Sequence, residues 1–370
     1  MLKILTYNEI NREHWSRLVR ESRTGTWFQS LEAYELYASL PDIFHPIAIG
    51  ISNTESRNSD CELRGVCVGY VTREKGVVRQ YFTRRAIIIG GPLIADDATN
   101  EEVETLMKAI RNQFDMHEPG SKCFESPIYI ETRNFNDYSR WRNVFEAIGF
   151  TYKPHLNYHV DCRDNEMMRE RLSNNRKRQI NTALTTADTV VLTNKQQNTA
   201  IAINENVQND IVSEEMALRF IHEWYGILAR LYRTKVKTPL FPLSFFLEFY
   251  KKGYGIFLMV VYKGTVIGGM MCPILDERYI YEWFVCGEDV TYKKQYPSVM
   301  VTYAAMDYAS KHGIQVFDIM GAGEPGVPYG VRDFKSEFGG KLVEYGRFLC
   351  VCHPFLYRIG KIGVKLLKMF

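Results

Sequence analysis

The strongest constraint in this sequence is an order of elements that runs through twice. In the first cycle, apolar periodicity and turn residues predict helices at 13–21 and 31–38, then strands at 44–51, 64–72 and 87–94. A polar hairpin loop spans 52–60, and a helix at 98–116, a strand at 127–132, a helix at 137–148 and a long strand at 150–162 complete the cycle. The second cycle predicts helices at 165–186, 213–233 and 243–252, and strands at 256–262, 265–274 and 278–286. A helix at 297–312, a strand at 314–320, a helical turn around Phe334 and strands within 342–352 follow. Lys263-Gly264 suits a two-residue hairpin turn, while Pro297 opens its helix and Gly313 lies beyond its end. A chain of 370 residues has room for two complete cores. The expected fold class is therefore α/β (α+β): two tandem units, residues 1–162 and 163–354, each a mixed, mainly antiparallel sheet flanked by helices, then a separate helix at 355–370.

The stretch 314–348 holds the most suggestive chemistry. A short apolar strand carries one carboxylate, Asp318, and runs into a loop rich in glycine and proline that ends at Tyr329 and Gly330. Gly321, Gly323 and Gly326 spell a literal G-x-G-x-x-G. A dinucleotide site needs a helix whose N-terminus holds the pyrophosphate, and Pro325 and Pro328 break any such helix. These glycines shape a loop. After it, Phe334 and Phe338 stand four apart around Lys335, and a double glycine leads to the next strand.

A net charge of +3 is too small to argue for nucleic-acid binding by itself. The start of the chain lacks the uninterrupted apolar core of a secretory signal, and no apolar run reaches the ~18 residues of a membrane span. Eight scattered cysteines form no C-x-x-C pair, and Cys350 and Cys352 are poorly spaced for a metal. His155 and His159 lie four apart on a strand, with no glutamate where a zinc-binding helix places one. No metal is expected, and reduced cysteines without a signal point to the cytoplasm.

Several motifs resemble one family. TWFQS at 26–30 resembles the aromatic-Gln-Ser element of the Fem-type aminoacyltransferases, and LSNNRKRQINTAL at 172–184 resembles their basic helix. VFDIMG at 316–321 and VRDFKSEFGGKLVEYGRF at 331–348 resemble the family's strand-loop and F-K-x-x-F-G signature. The resemblance implies tandem domains of the GNAT acyltransferase type, without the coiled-coil insertion of some members. It implies transfer of an amino acid from aminoacyl-tRNA, as co-substrate and without a further cofactor, onto an amine of a peptidoglycan precursor. The family's matching lysine is implicated in transfer, which points to Lys335.

The residues themselves admit two readings at each position. Lys335, screened by Phe334 and Phe338, could stabilise an oxyanion, or could lay its stem along the rings at the surface. Asp318, on an apolar strand face, could accept a proton from an attacking amine, or could cap backbone N–H groups of the loop. Arg176 and Arg178 lie on a basic helix suited to phosphates of tRNA or of a nucleotide- or lipid-linked precursor, or to a solvated face. Lys293 and Lys294 precede the helix at 297 and form a second possible anion site. Acetyl-CoA enzymes of the GNAT type open that helix with a glycine turn; YKKQYPSV at 292–299 and PLIADDAT at 92–99 have no glycine, which disfavours coenzyme A.

From Phe355 to Phe370 apolar residues recur at helical spacing beside Arg358, Lys361, Lys365 and Lys368. Such a helix can lie on the inner face of an anionic membrane or pack on its own domain. The expected activity is aminoacyl or related acyl transfer to an amine of a cell-envelope precursor. An acyl-CoA-dependent N-acyltransferase and a non-catalytic envelope-assembly protein are the alternatives.

Overall fold

The computed structural model describes residues 2–53, 62–72, 83–115, 126–194, 213–237 and 239–369. The hairpin loop expected at 52–60 lies largely outside them, as do the side chains from 363 onward. In chain order the first part comprises β1 (Leu2–Thr6), α1 (Arg12–Glu21), α2 (Leu31–Ala38), β2 (Phe44–Asn53), β3 (Glu62–Thr72), β4 (Ala86–Gly90) and β5 (Leu93–Ile94). It continues with α3 (Asn100–Asp115), β6 (Tyr129–Asn134), α4 (Arg142–Ala147), β7 (Thr151–Lys153) and β8 (Leu156–Asp161). Next come α5 (Asn165–Glu170), α6 (Asn174–Leu184), β9 (Asp188–Leu192), α7 (Glu214–Leu231) and α8 (Leu243–Lys252). The meander β10 (Gly255–Tyr262), β11 (Thr265–Leu275), β12 (Tyr279–Tyr281) and β13 (Phe284–Gly287) leads to α9 (Pro297–Lys311). The chain closes with β14 (Val316–Gly321), α10 (Gly330–Ser336), β15 (Lys341–Glu344), β16 (Arg347–Val351) and α11 (Pro354–Met369).

Two mixed sheets result, and the tandem α/β expectation holds. The first runs β1-β2-β3-β4-β6-β16-β7, with β5 beside β3; the second runs β15-β8-β14-β12-β11-β10-β9, with β13 beside β11. Each is mainly antiparallel and contains a parallel pair, β4 with β6 in the first and β12 with β14 in the second. In each sheet the parallel pair is joined through a crossover that contains a helix, α3 in the first and α9 in the second. Lys263 and Gly264 both have positive φ, as a type I′ hairpin requires.

The packing units do not follow the sequence boundary near residue 162. Met1–His155 with Glu344–Phe370 forms one unit, and Leu156–Val343 the other. The expected strand 150–162 is split at Pro154, where a ladder donor is missing, so β7 joins the first sheet and β8 the second. The strands expected within 342–352 are parted at Gly346 (φ +64), β15 belonging to the second sheet and β16 to the first. Similarly, 87–94 divides at Gly91-Pro92, 165–186 at the Ser173 cap of α6, and 278–286 at Glu282-Trp283. Strands β1 and β9 carried too little alternation to be expected.

Each unit has its own core. In the first, β2, β3 and β4 pack Ile49, Cys67 and Ile88 against Leu106, Met107 and Ile110 of α3. In the second, β10, β11 and β14 pack Leu258, Ile267, Phe317 and Ile319 against Met300, Ala304 and Ala305 of α9.

The TWFQS element is buried in the first unit. Between its pairings with β4 at Tyr70 and with β5 at Val66, β3 lacks a neighbour on that side. The Gln29 carboxamide fills the break, donating to Val68 O (2.9 Å) and Ile89 O (2.8 Å) and accepting from Val68 N (2.7 Å). Gln29→Leu leaves three buried backbone groups unsatisfied, at about 1–3 kcal/mol for each. The urea midpoint followed by tryptophan fluorescence should therefore fall sharply; an unchanged midpoint would show that Gln29 does not hold the sheet.

Candidate functional site

The site is built where β14 outruns its parallel partner. The β12–β14 ladder ends at Tyr281–Asp318, followed by Glu282 N donating to Asp318 O (2.9 Å). The next residue turns away: Trp283 N donates to Met271 O (3.2 Å), and β13 continues on β11. Beyond Asp318, the carbonyls of Ile319 and Gly321 face a gap. Lys335 fills it from α10, donating to Ile319 O, to Gly321 O (3.2 Å) and to Glu282 Oε1 (3.0 Å). An ammonium has three donors, and all three are used. Lys335 is 6% exposed, so the surface-lysine reading is excluded. Burial pushes the Glu282 carboxyl above the usual carboxylate range, against the downward pull of the Lys335 ammonium.

Asp318 is fully buried and does two things. Its Oδ1 accepts from Met320 N (2.7 Å), holding Met320 in the left-handed region (φ +52) where the β8–β14 register shifts. Its Oδ2 lies 3.3 Å from His159 Nε2 on β8. The loop-capping role weighed for this aspartate is therefore present, and a histidine is added to it. His155 goes elsewhere, within 2.9 Å of Arg347 in the first unit.

The glycine loop is held by its carbonyls. Arg332 donates from Nε to Ala322 O (2.8 Å) and from its terminal nitrogen to Glu324 O. The half-exposed ring of Tyr329 lies over Gly323, where an added Cβ would meet Tyr329 Cδ1 at 2.9 Å. The helix that follows is only the seven-residue α10, starting four residues after Gly326.

Arg176 is the cation over the phenylalanines. Its guanidinium lies 4.3 Å from the Phe334 ring centre and 4.9 Å from that of Phe338, 3.6 Å from Glu337, and donates to Phe334 O (3.3 Å). At 5% exposure it fastens α6 to α10, and burial draws its pKa down. The arrangement differs from the expected one, in which Lys335 sits between the rings and Arg176 faces a phosphate. The reason is geometric: α10 turns residue 335 toward the strand and residues 334 and 338 toward α6. Ser173 Oγ and Asn175 Nδ2 both donate to Glu337 Oε2, closing the same contact. Arg178, Lys293 and Lys294 remain exposed, Arg178 donating to Asn175 Oδ1 (3.1 Å).

Both crossover helices begin against acids. At α9, Asp289 accepts from Ser298 N (3.1 Å) and Ser298 Oγ (2.5 Å). At α3, Glu102 Oε2 accepts from Thr99 N (2.8 Å) while its Oε1 meets Arg64 Nε (3.0 Å). The amide ends that would draw a diphosphate already face carboxylates.

Glu282, His159 and Asp289 escaped the sequence reading as site residues. Glu282 alone left a trace, as an acid inside the apolar run 279–286. Removing one partner of a buried pair costs about 3–5 kcal/mol, so Lys335→Met should destabilise the second unit strongly, and Glu282→Gln in the same chain should recover most of the loss. The pH dependence has a fixed sign. With its folded pKa raised, Glu282 contributes stability present below its unfolded pKa and lost as pH rises through the folded one. Thermal melts of Lys335→Met from acid to neutral pH should show this loss, absent from the double variant.

Residues 274–363 match the FemAB family model, a stretch that contains Glu282, Asp318 and Lys335. No curated protein sequence matches the chain. Among solved structures, FemX is similar with a TM-score of 0.64 at 13% identity, over 96% of this chain and 99% of that one. The C-terminal domain of a proposed lysylphosphatidylglycerol synthetase from Agrobacterium fabrum gives 0.54 at 10% identity, over 96% and 95%. A conserved protein of unknown function from Bacteroides thetaiotaomicron gives 0.51 at 9%, over 94% and 99%. Over residues 274–363 the sequence matches the FemAB family model, and along nearly the whole chain the fold is similar to that of FemX.

Proposed function

We propose that the protein is an aminoacyltransferase that moves an aminoacyl or related acyl group from aminoacyl-tRNA to an amine of a cell-envelope precursor. The acceptor would be a peptidoglycan or similar precursor carried on a nucleotide or a lipid. The observation that carries this reading is that the FemAB-family stretch contains the buried Lys335–Glu282 pair and the buried Asp318 at the end of β14, with His159 of β8 beside Asp318. The acid-faced starts of α3 and α9 weigh against the acyl-CoA alternative.

In this reading the acceptor amine attacks the ester carbonyl carbon of the aminoacyl-tRNA. A C–N bond forms, the carbonyl oxygen takes up negative charge, and the C–O bond to the ribose then breaks. The Lys335 ammonium supplies the countercharge by exchanging one backbone acceptor, Ile319 O or Gly321 O, for the developing oxyanion. Such an exchange keeps all three N–H groups satisfied. His159, oriented by Asp318, takes the proton the amine sheds and returns it to the ribose oxygen. Arg178, Lys293 and Lys294 are exposed cations available to phosphates, and Tyr329 is an exposed ring on the glycine loop available to substrate. Phe334 and Phe338 serve by holding Arg176 and the turn that carries Lys335. Aminoacyl-tRNA as donor implies work on the cytoplasmic side of the envelope.

Charged tRNA and a nucleotide-linked muropeptide should each raise the melting temperature, and coenzyme A should not. Stabilisation by coenzyme A alone would overturn the reading in favour of acyl-CoA chemistry. Glu282→Gln should keep transfer from aminoacyl-tRNA. Adding Lys335→Met to it should lower single-turnover transfer by about 100-fold or more, the usual size of one oxyanion donor, in a chain that still melts cooperatively. Undiminished transfer would leave Lys335 with a structural role only.

A further inference from the structure

Helix α11 packs through one face and leaves another bare. Leu356 is buried against the first unit, and the Tyr357 ring meets Tyr129 edge-on at 5.6 Å, which fixes how the helix is turned. Phe355, Ile359 and Ile362 are then 75%, 39% and 61% exposed. These positions are spaced i, i+4, i+7, so they form one stripe. The sequence repeats this spacing at Leu366, on a backbone that stays helical to Met369. Arg358 and Lys361 are exposed on the flank between this stripe and Tyr357, and Lys365 and Lys368 follow seven positions later in the sequence. No acid occurs anywhere in α11.

We propose that this face of α11 docks the protein on an anionic lipid surface, with the stripe entering the acyl boundary and the cations meeting headgroup phosphates. Charge selects this occupant. A second copy pairing through the same stripe would bring two all-basic helices together, which repel. A lipid surface rich in phosphatidylglycerol supplies the missing negative charge, at roughly a fivefold gain in partitioning for each cation near it. The helix lies on the surface and does not cross it, since no helix among the described residues is long and apolar enough to span a membrane. The inference stands on α11 alone and is independent of the transfer chemistry.

The test is co-sedimentation of the full chain with mixed phosphatidylcholine–phosphatidylglycerol vesicles, against phosphatidylcholine vesicles alone. The intact protein should pellet with the mixed vesicles, and release with salt. Ile359→Glu with Ile362→Glu, at exposed positions that leave the melting temperature unchanged, should abolish pelleting. Lys361→Gln should weaken it about fivefold on the anionic vesicles only. The proposal is overturned if the intact protein stays in the supernatant, if the double variant still pellets, or if light scattering shows that the double variant splits an oligomer, which would assign the stripe to self-association.

Discussion

The Lys335 ammonium is the point on which the second unit turns. The second sheet diverges after its parallel β12–β14 pair, and the divergence leaves the carbonyls of Ile319 and Gly321 with no β12 partner beyond Asp318. These two carbonyls and one carboxylate converge on a single nitrogen. Because Lys335 is carried by α10, its bonds also fix that turn, and the turn fixes Phe334, Phe338 and Glu337 around Arg176 of α6. Strand end, glycine loop, turn and basic helix thus form one connected body.

Each unit fills a break in its sheet with a buried polar side chain from outside the sheet, but with different chemistry. In the first unit the filler is a neutral carboxamide, Gln29, matched donor for donor and acceptor for acceptor. In the second it is a charge paired with a charge. A neutral carboxamide gains only a dipolar interaction when a ligand develops negative charge nearby; a buried ammonium gains more, because the low local dielectric magnifies the attraction between full charges. In the proposed function, that contrast puts the chemistry in the second unit and gives the buried pair a use that offsets its desolvation cost.

The repeated order of elements, the mixed sheets and the hairpin at Lys263-Gly264 were legible because periodicity and turn residues report local geometry. The exchange of β8 and β16 between sheets was not, since Pro154 and Gly346 mark a break without saying which sheet receives the next strand. At the site, Asp318 was legible as an acid on an apolar face, and Lys335 through the motif around it. Its neighbours were not. Glu282 lies 53 positions before Lys335, and His159 lies 159 positions before Asp318. Such pairings depend on tertiary contact alone. Arg176 was misread for a related reason: a basic run looks solvated until the aromatic rings that bury one member of it are placed.

The central claim is that Lys335 is a fully bonded, buried ammonium at the end of β14. Nitrogen-15 labelling of lysine side chains tests it most directly, by hydrogen exchange of the ammonium groups at neutral pH and low temperature. One ammonium signal should exchange far more slowly than the exposed lysines, and it should vanish in the chain carrying Lys335→Met with Glu282→Gln. If every lysine ammonium exchanges at the rate of an exposed side chain, Lys335 is not held as described and the account of the site fails.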